Sequence, residues 1–161
     1  MSRTAAALAA IALMMGLAIG IAYTQAPDWN KGTTDEKIKR LSDIQPGLGT
    51  VMMEYGARFS NAYYAAKGGN FDLAEYMIRE MKEIQEVGEN TRPARAPLLK
   101  AFETNYLDKL EAAAKAKNWS QYSSLTPQVV NACNSCHAGV QMAYIVYQLP
   151  AAPPAPLKMS K

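Results

Sequence analysis

The sequence predicts an all-α protein, an up-down-up-down four-helix bundle preceded by an N-terminal apolar helix. Three observations carry that expectation. Four stretches repeat apolar residues at i, i+3, i+4 and i+7, the spacing of one helix face. The turn joining the first pair of helices is echoed by the turn joining the last pair. No stretch alternates apolar and polar residues for long enough to build a strand. At 161 residues the chain suits one domain, since domains commonly run to about 100–200 residues.

Residues 1–26 read as an export signal or a membrane anchor. Met1-Ser2-Arg3-Thr4 leads into an uncharged apolar run, Ala5 to Tyr23, and the next charge is Asp28. A lone Arg before an apolar run is the pattern of a secretory signal. The run is longer than the ~7–15 residues of a usual signal core, and about 20 apolar residues also span a bilayer. Cleaved signal and retained anchor over residues 5–23 therefore both stand. Cleavage after Ala22 satisfies the small-residue rule through Gly20, whereas cleavage after Ala26 leaves Pro27 first. Either choice puts the body outside the cytoplasm, with Arg3 on the inner side.

Residues 27–33 form a short linker, and 34–149 the bundle. Thr33 and Glu36 have the spacing of a capping box, opening a short helix through Ile38, Leu41 and Ile44 that Pro46-Gly47 interrupts. The first bundle helix carries Leu48, Met52, Tyr55, Phe59, Ala62 or Tyr63, and Ala66 inward, and stops at Lys67-Gly68-Gly69. Asn70 caps the second, with Leu73, Met77, Met81, Ile84 and Val87 as its stripe. Gly88 and the proline-containing stretch to Pro97 break it. The third, with Pro97 in its first turn, presents Leu99, Phe102, Tyr106, Leu110 and Ala113.

Ala114-Lys115-Ala116-Lys117-Asn118-Trp119 then follows the plan of Ala66-Lys67-Gly68-Gly69-Asn70-Phe71: small residue, lysine, break, Asn cap, aromatic. Thr126-Pro127 reads as a restart, with Thr as cap and Pro at the first position of the last helix. That helix places Val129, Cys133, Cys136, His137, Val140, Tyr144 and Tyr147 on one face. Residues 150–161 are a proline-rich, polyproline-type tail.

The last helix also carries Cys133-Asn134-Ser135-Cys136-His137. A C-x-x-C-H pentapeptide reads as a covalent c-type haem attachment site. Two thiols three residues apart share a helix face, where they can bond the two haem vinyls, and His137 falls on that face as proximal iron ligand. The pentapeptide uses every Cys and the one His of the chain. A structural zinc site wants four ligands and finds three. A thioredoxin-like dithiol wants a βαβ pattern, and a simple disulfide is the plainest rival. Extracytoplasmic placement suits c-type haem, which is attached after export.

The net charge is +3, with no basic stripe of the kind that binds nucleic acid. From Asn118 to Leu157 there is no Asp, Glu, Lys or Arg, where roughly 25% charged residues would place about ten. The haem-bearing end is electrically plain. With no second histidine for acid–base work, and carboxylates on periodic, solvated helix faces, ordinary catalysis finds no support.

With C-x-x-C-H on a fourth helix near the C-terminus, the sequence resembles the cytochrome c-prime superfamily of bundle cytochromes. The resemblance runs from about Asp35 to Leu149 and rests on the Met52-to-Phe71 spacing, the Gly-Asn-aromatic turn and the Ala-Cys-Asn-x-Cys-His segment at Ala132 to His137. It implies one covalent haem c on the last helix and a distal face formed by the first. Members with a distal methionine are six-coordinate electron carriers, while those with an apolar residue there are five-coordinate and bind gases such as nitric oxide or carbon monoxide. The uncharged stretch after His137 and the proline tail depart from the family's usual ending.

Met52, on the inward stripe, is the candidate sixth ligand, with Met53 as alternative because Gly49 and Gly56 flank it one turn away on either side. A core-filling role is the plainer reading of any single Met, Met77 and Met81 included, and an open distal site stays open. Tyr55 and Phe59 suit haem packing, and Arg58 either pairs with a propionate or lies on an exposed face. Three functions follow: a monohaem electron carrier with His/Met ligation, a five-coordinate gas-binding protein, and a haem-bearing interaction subunit of a larger redox complex. The uncharged surface and proline tail point to redox protein partners whose association depends weakly on salt. A membrane is contacted only through the N-terminal segment, and homodimerisation is compatible by analogy.

Overall fold

The computed structural model describes residues 31–160; the signal-or-anchor segment and most of the linker lie outside them. The described residues are helical apart from turns, a long C-terminal strap and one isolated bridge between Gly69 and Ser160. No helix among them is long and apolar enough to cross a membrane.

The helix α1, Thr34–Asp43, belongs to the unit that runs to Gln45. Its capping box is complete: the Glu36 amide donates to Thr33 Oγ1 at 3.3 Å and the Thr33 amide donates to Glu36 Oε2 at 2.8 Å. That backbone bond, with the Thr33 hydroxyl, holds the Glu36 carboxyl below its usual range.

The described residues from Pro46 onward form the second unit. It holds α2, Leu48–Lys67; α3, Phe71–Thr91; α4, Ala96–Phe102; α5, Asp108–Lys115; and α6, Trp119–Gly139. A 3-10 turn at Pro93–Arg95 leads into α4, and a π-helical turn at Glu103–Leu107 joins α4 to α5. Contacts run from α2 to α3, α3 to α5, α5 to α6, and from α6 back to α2. Their shared interior is filled by Phe59, Ile78, Met81, Leu107, Leu110, Tyr122 and Val129. Met77 and Met81 are buried there as core filler.

Three helices end in the same Schellman turn. Asn70 N donates to Ala65 O at 2.8 Å and Gly69 N to Ala66 O at 3.0 Å. The echoing turn has Asn118 N to Ala113 O at 2.9 Å and Lys117 N to Ala114 O at 2.9 Å. Asn70 and Asn118 then cap the next helix through their side chains, at 3.3 and 3.0 Å. Each turn needs one left-handed residue, Gly69 at φ 80° and Lys117 at φ 52°. The Cβ makes that conformation unfavourable for Lys117 by roughly 1–2 kcal/mol. Lys117→Gly is therefore expected to raise stability by about 1 kcal/mol and Gly69→Ala to lower it by a similar amount, read as opposite shifts of the urea midpoint. Equal shifts of one sign would contradict the turn argument.

Several expectations are corrected. Thr126-Pro127 does not restart the chain, because α6 runs unbroken through Pro127. The proline lies on the exposed side beside a hollow of about 370 Å³, lined by Ser123, Thr126 and Pro127 among others, so the Ser123 carbonyl that it leaves without a donor borders open space. Tyr106 packs only partly buried against the core while Leu107 takes the deepest place, because the π-turn inserts a residue and rotates the face below it.

The last helix does not reach Leu149. It stops at Gly139 with a third Schellman turn, Gln141 at φ 64° and Met142 N to His137 O at 2.8 Å. Tyr144, expected on the inner face, is 80% exposed. The proline-rich tail is fastened rather than free. Tyr64 OH donates to Pro150 O at 2.6 Å, Ala155 N to Asn61 Oδ1 at 3.3 Å and Asn70 Nδ2 to Lys158 O at 3.3 Å. A Cβ on Gly68 would meet the Met159 carbonyl at 2.5 Å, so the strap closes on α2 only over a bare backbone.

Candidate functional site

The last two turns of α6 bring Cys133, Cys136 and His137 together, each partly buried. Both cysteines are free thiols. Cys133 packs on the core cluster, and burial, reinforced by Cys136, pushes its thiol up to about 12. Cys136 lines a cleft of about 560 Å³ with Leu98, Phe102, Tyr106, Asn131 and Ala132. No residue around this cleft is charged, and Asn105, Gln128, Asn131 and Ser135 supply its polar lining.

His137 is held from the strap: its Nδ1 lies 2.8 Å from the Ile145 carbonyl oxygen. A carbonyl only accepts, so in the neutral ring Nδ1 carries the proton and Nε2 keeps its lone pair for a ligand. Three residues earlier, Asn134 clamps the same strap at both ends of one peptide residue. Tyr147 N donates to Asn134 Oδ1 at 2.7 Å, and Asn134 Nδ2 donates to Tyr147 O at 3.1 Å. The Tyr147 hydroxyl reaches Ser60 at 2.8 Å and donates to the Gly56 carbonyl at 3.1 Å, while its ring tilts against Phe59 at 5.8 Å. Sequence reasoning missed Asn134 and Ile145. The one available signal was a poor helix former inside the pentapeptide.

Of the other expected residues, Tyr55 is buried, with its ring edge-on to Phe102 at 6.1 Å. Its hydroxyl donates to Gln85 Oε1 at 3.0 Å, and Gln85 Nε2 donates in turn to Glu89 and Glu103, each at 2.9 Å. Burial first, then the nearby Cys133 and Glu103, pushes the Tyr55 phenol far up, keeping it neutral. Met52 is partly buried against the core, whereas Met53 is 78% exposed. Phe59 is core. The Arg58 guanidinium is held by Glu54 at 2.7 Å and Glu80 at 3.3 Å.

The carboxylates are not all on solvated faces, which corrects the sequence reading. Glu89 is 8% exposed, since α3 turns Gln85 and Glu89 inward one turn apart, and Lys100 closes its outer side at 3.0 Å. Gln85→Leu leaves the buried Tyr55 phenol without its acceptor and takes one donor each from Glu89 and Glu103, so a loss of about 2–4 kcal/mol is expected in urea unfolding. A change under about 0.5 kcal/mol would show that the network contributes nothing.

Among the described residues no three His, Cys, Asp or Glu side chains converge to hold a bare metal ion. No family model matches the chain, and neither the curated proteins nor the solved structures yield a match.

Proposed function

We propose that this chain is a monohaem c-type cytochrome, a carrier of single electrons outside the cytoplasm, of the bundle type seen in the cytochrome c-prime superfamily. The observation that carries the reading is the C-x-x-C-H at Cys133 to His137 with His137 Nδ1 tied to the Ile145 carbonyl. Metal-bound histidines as a rule donate their other ring N–H to a carbonyl or carboxylate. The residues present fit the group: two free thiols one turn apart, an imidazole with Nε2 free, and an uncharged cleft beside Cys136. An up-down-up-down four-helix bundle would hold it on the last helix.

Haem c bound there supplies a one-electron iron couple. The protein's part follows from its own residues. Cys133 and Cys136 anchor, and His137 presents Nε2 in a ring whose rotation the strap restrains. Met52, partly buried against the core but outside the lining of the cleft, is the candidate second iron ligand, and its thioether would raise the potential. Phe102 and Tyr106, packed on each other at 5.2 Å, would give the group an aromatic wall. Arg58, already held by Glu54 and Glu80, is the weaker candidate for a propionate.

The test is the absorption spectrum of the exported, haem-matured protein, oxidised and reduced, with and without carbon monoxide. Sharp split bands on reduction, a far-red sulfur-to-iron band on oxidation and indifference to carbon monoxide are expected. Broad bands that shift with carbon monoxide would replace this reading with the five-coordinate gas-binding one. A chain without covalent haem would defeat both. One segment favours a role as subunit of a larger redox complex: Met142, Tyr144, Ile145 and Val146 are each exposed, and Ile145 is the residue tied to His137.

A further inference from the structure

We propose that Asn134, the second residue of the pentapeptide, is a positioning residue that sets the strength of His137 as a ligand by clamping the C-terminal strap. The inference rests on the haem reading and deepens it. After the turn at Gln141 the strap runs back along α6, so that two residues of the helix face two of the strap. Asn134 meets Tyr147 through both backbone groups, at 2.7 and 3.1 Å, and His137 meets the Ile145 carbonyl at 2.8 Å.

The two contacts lie two residues apart on the strap, with only Val146 between them. Fixing the Tyr147 peptide therefore fixes where the Ile145 carbonyl points. Ile145 has no comparable anchor of its own: its side chain is exposed, and its amide donates only to the nearby Met142 carbonyl at 2.9 Å. An acceptor on Nδ1–H restrains ring rotation and raises the basicity of Nε2. A more basic axial ligand favours the oxidised iron, so the clamp holds the potential down.

The experiment compares wild type, Asn134→Ala and Tyr147→Phe as full chains. Tyr147→Phe loses the hydroxyl bonds to Ser60 and Gly56 but keeps the backbone clamp. In haem-free protein, Asn134→Ala is expected to speed hydrogen exchange of the Tyr147 amide at least about tenfold, as loss of its acceptor demands. In haem-loaded protein it is expected to raise the potential by about a tenfold change in the oxidised-to-reduced ratio, 59 mV for one electron. Tyr147→Phe is expected to move the potential far less.

An unchanged potential in Asn134→Ala, or equal shifts in both variants, overturns the proposal. So does wild-type protein whose His137 Nδ1 proton exchanges as fast as that of a free imidazole, whether or not the variants fold. Failure of the haem reading itself would look different: wild type without covalent haem, its Tyr147 amide still protected.

Discussion

On the proposed haem reading, chains carrying Cys133→Ser and Cys136→Ser together, produced alongside haem-attachment machinery, are expected to have the mass of the polypeptide alone and no visible haem spectrum. A serine hydroxyl does not form the thioether, and Cys133 and Cys136 are the chain's full supply of thiols. The effect is all or none, which sets it apart from graded losses of folding. His137→Ala separates attachment from ligation. It should keep the haem mass, because both thiols are present, yet lose the low-spin spectrum, because no second histidine exists to replace it. Haem mass persisting in the double variant would sink the assignment of the pentapeptide.

The second large effect concerns the opposite axial position. Under the proposed His137/Met52 ligation, Met52→Ala is expected to convert a six-coordinate haem that ignores carbon monoxide into a five-coordinate one that binds it, with a fall in potential as the thioether is lost. Truncating a partly buried methionine should lower stability by about 2 kcal/mol, the low end for buried methionines. Met53→Ala is the control: its side chain is 78% exposed, and a change within about 0.5 kcal/mol with an unaltered spectrum is expected. If Met53→Ala alters coordination and Met52→Ala does not, the register of α2 argues for the wrong methionine.

How far the sequence could be read depended on the range of the interaction. The capping box at Thr33 and Glu36 and the paired turns before Asn70 and Asn118 were legible, because each closes within five residues and draws on side chains with one strong local use. The helical stripe of α2 was legible to within one position, with Val51 taking the deep place beside Met52. The π-turn at Glu103–Leu107 was not, since one inserted residue leaves the apolar spacing looking helical on both sides. Pro127 misled because a Thr-Pro pair reads as a helix start. Asn118 had already started that helix.

Glu89 and Asn134 were missed for a shared reason. A carboxylate or an amide on a helix is taken as solvated unless its partner is in view. Each is held by a residue beyond its own helix, Lys100 for Glu89, with Gln85 one turn away, and Tyr147 for Asn134.

By itself, then, the sequence determined that the chain is helical, where its paired turns fall, and that two thiols and an imidazole share the last two turns of α6; these follow from backbone geometry and neighbouring side chains. Only the tertiary structure decided which nitrogen of His137 is free, because the carbonyl that holds the other arrives from Ile145. It alone decided that the proline-rich tail is a strap. The bonds from Asn61 to Ala155 and from Tyr64 to Pro150 join residues more than eighty positions apart, and no local pattern encodes a contact that exists only once the bundle has brought those surfaces together.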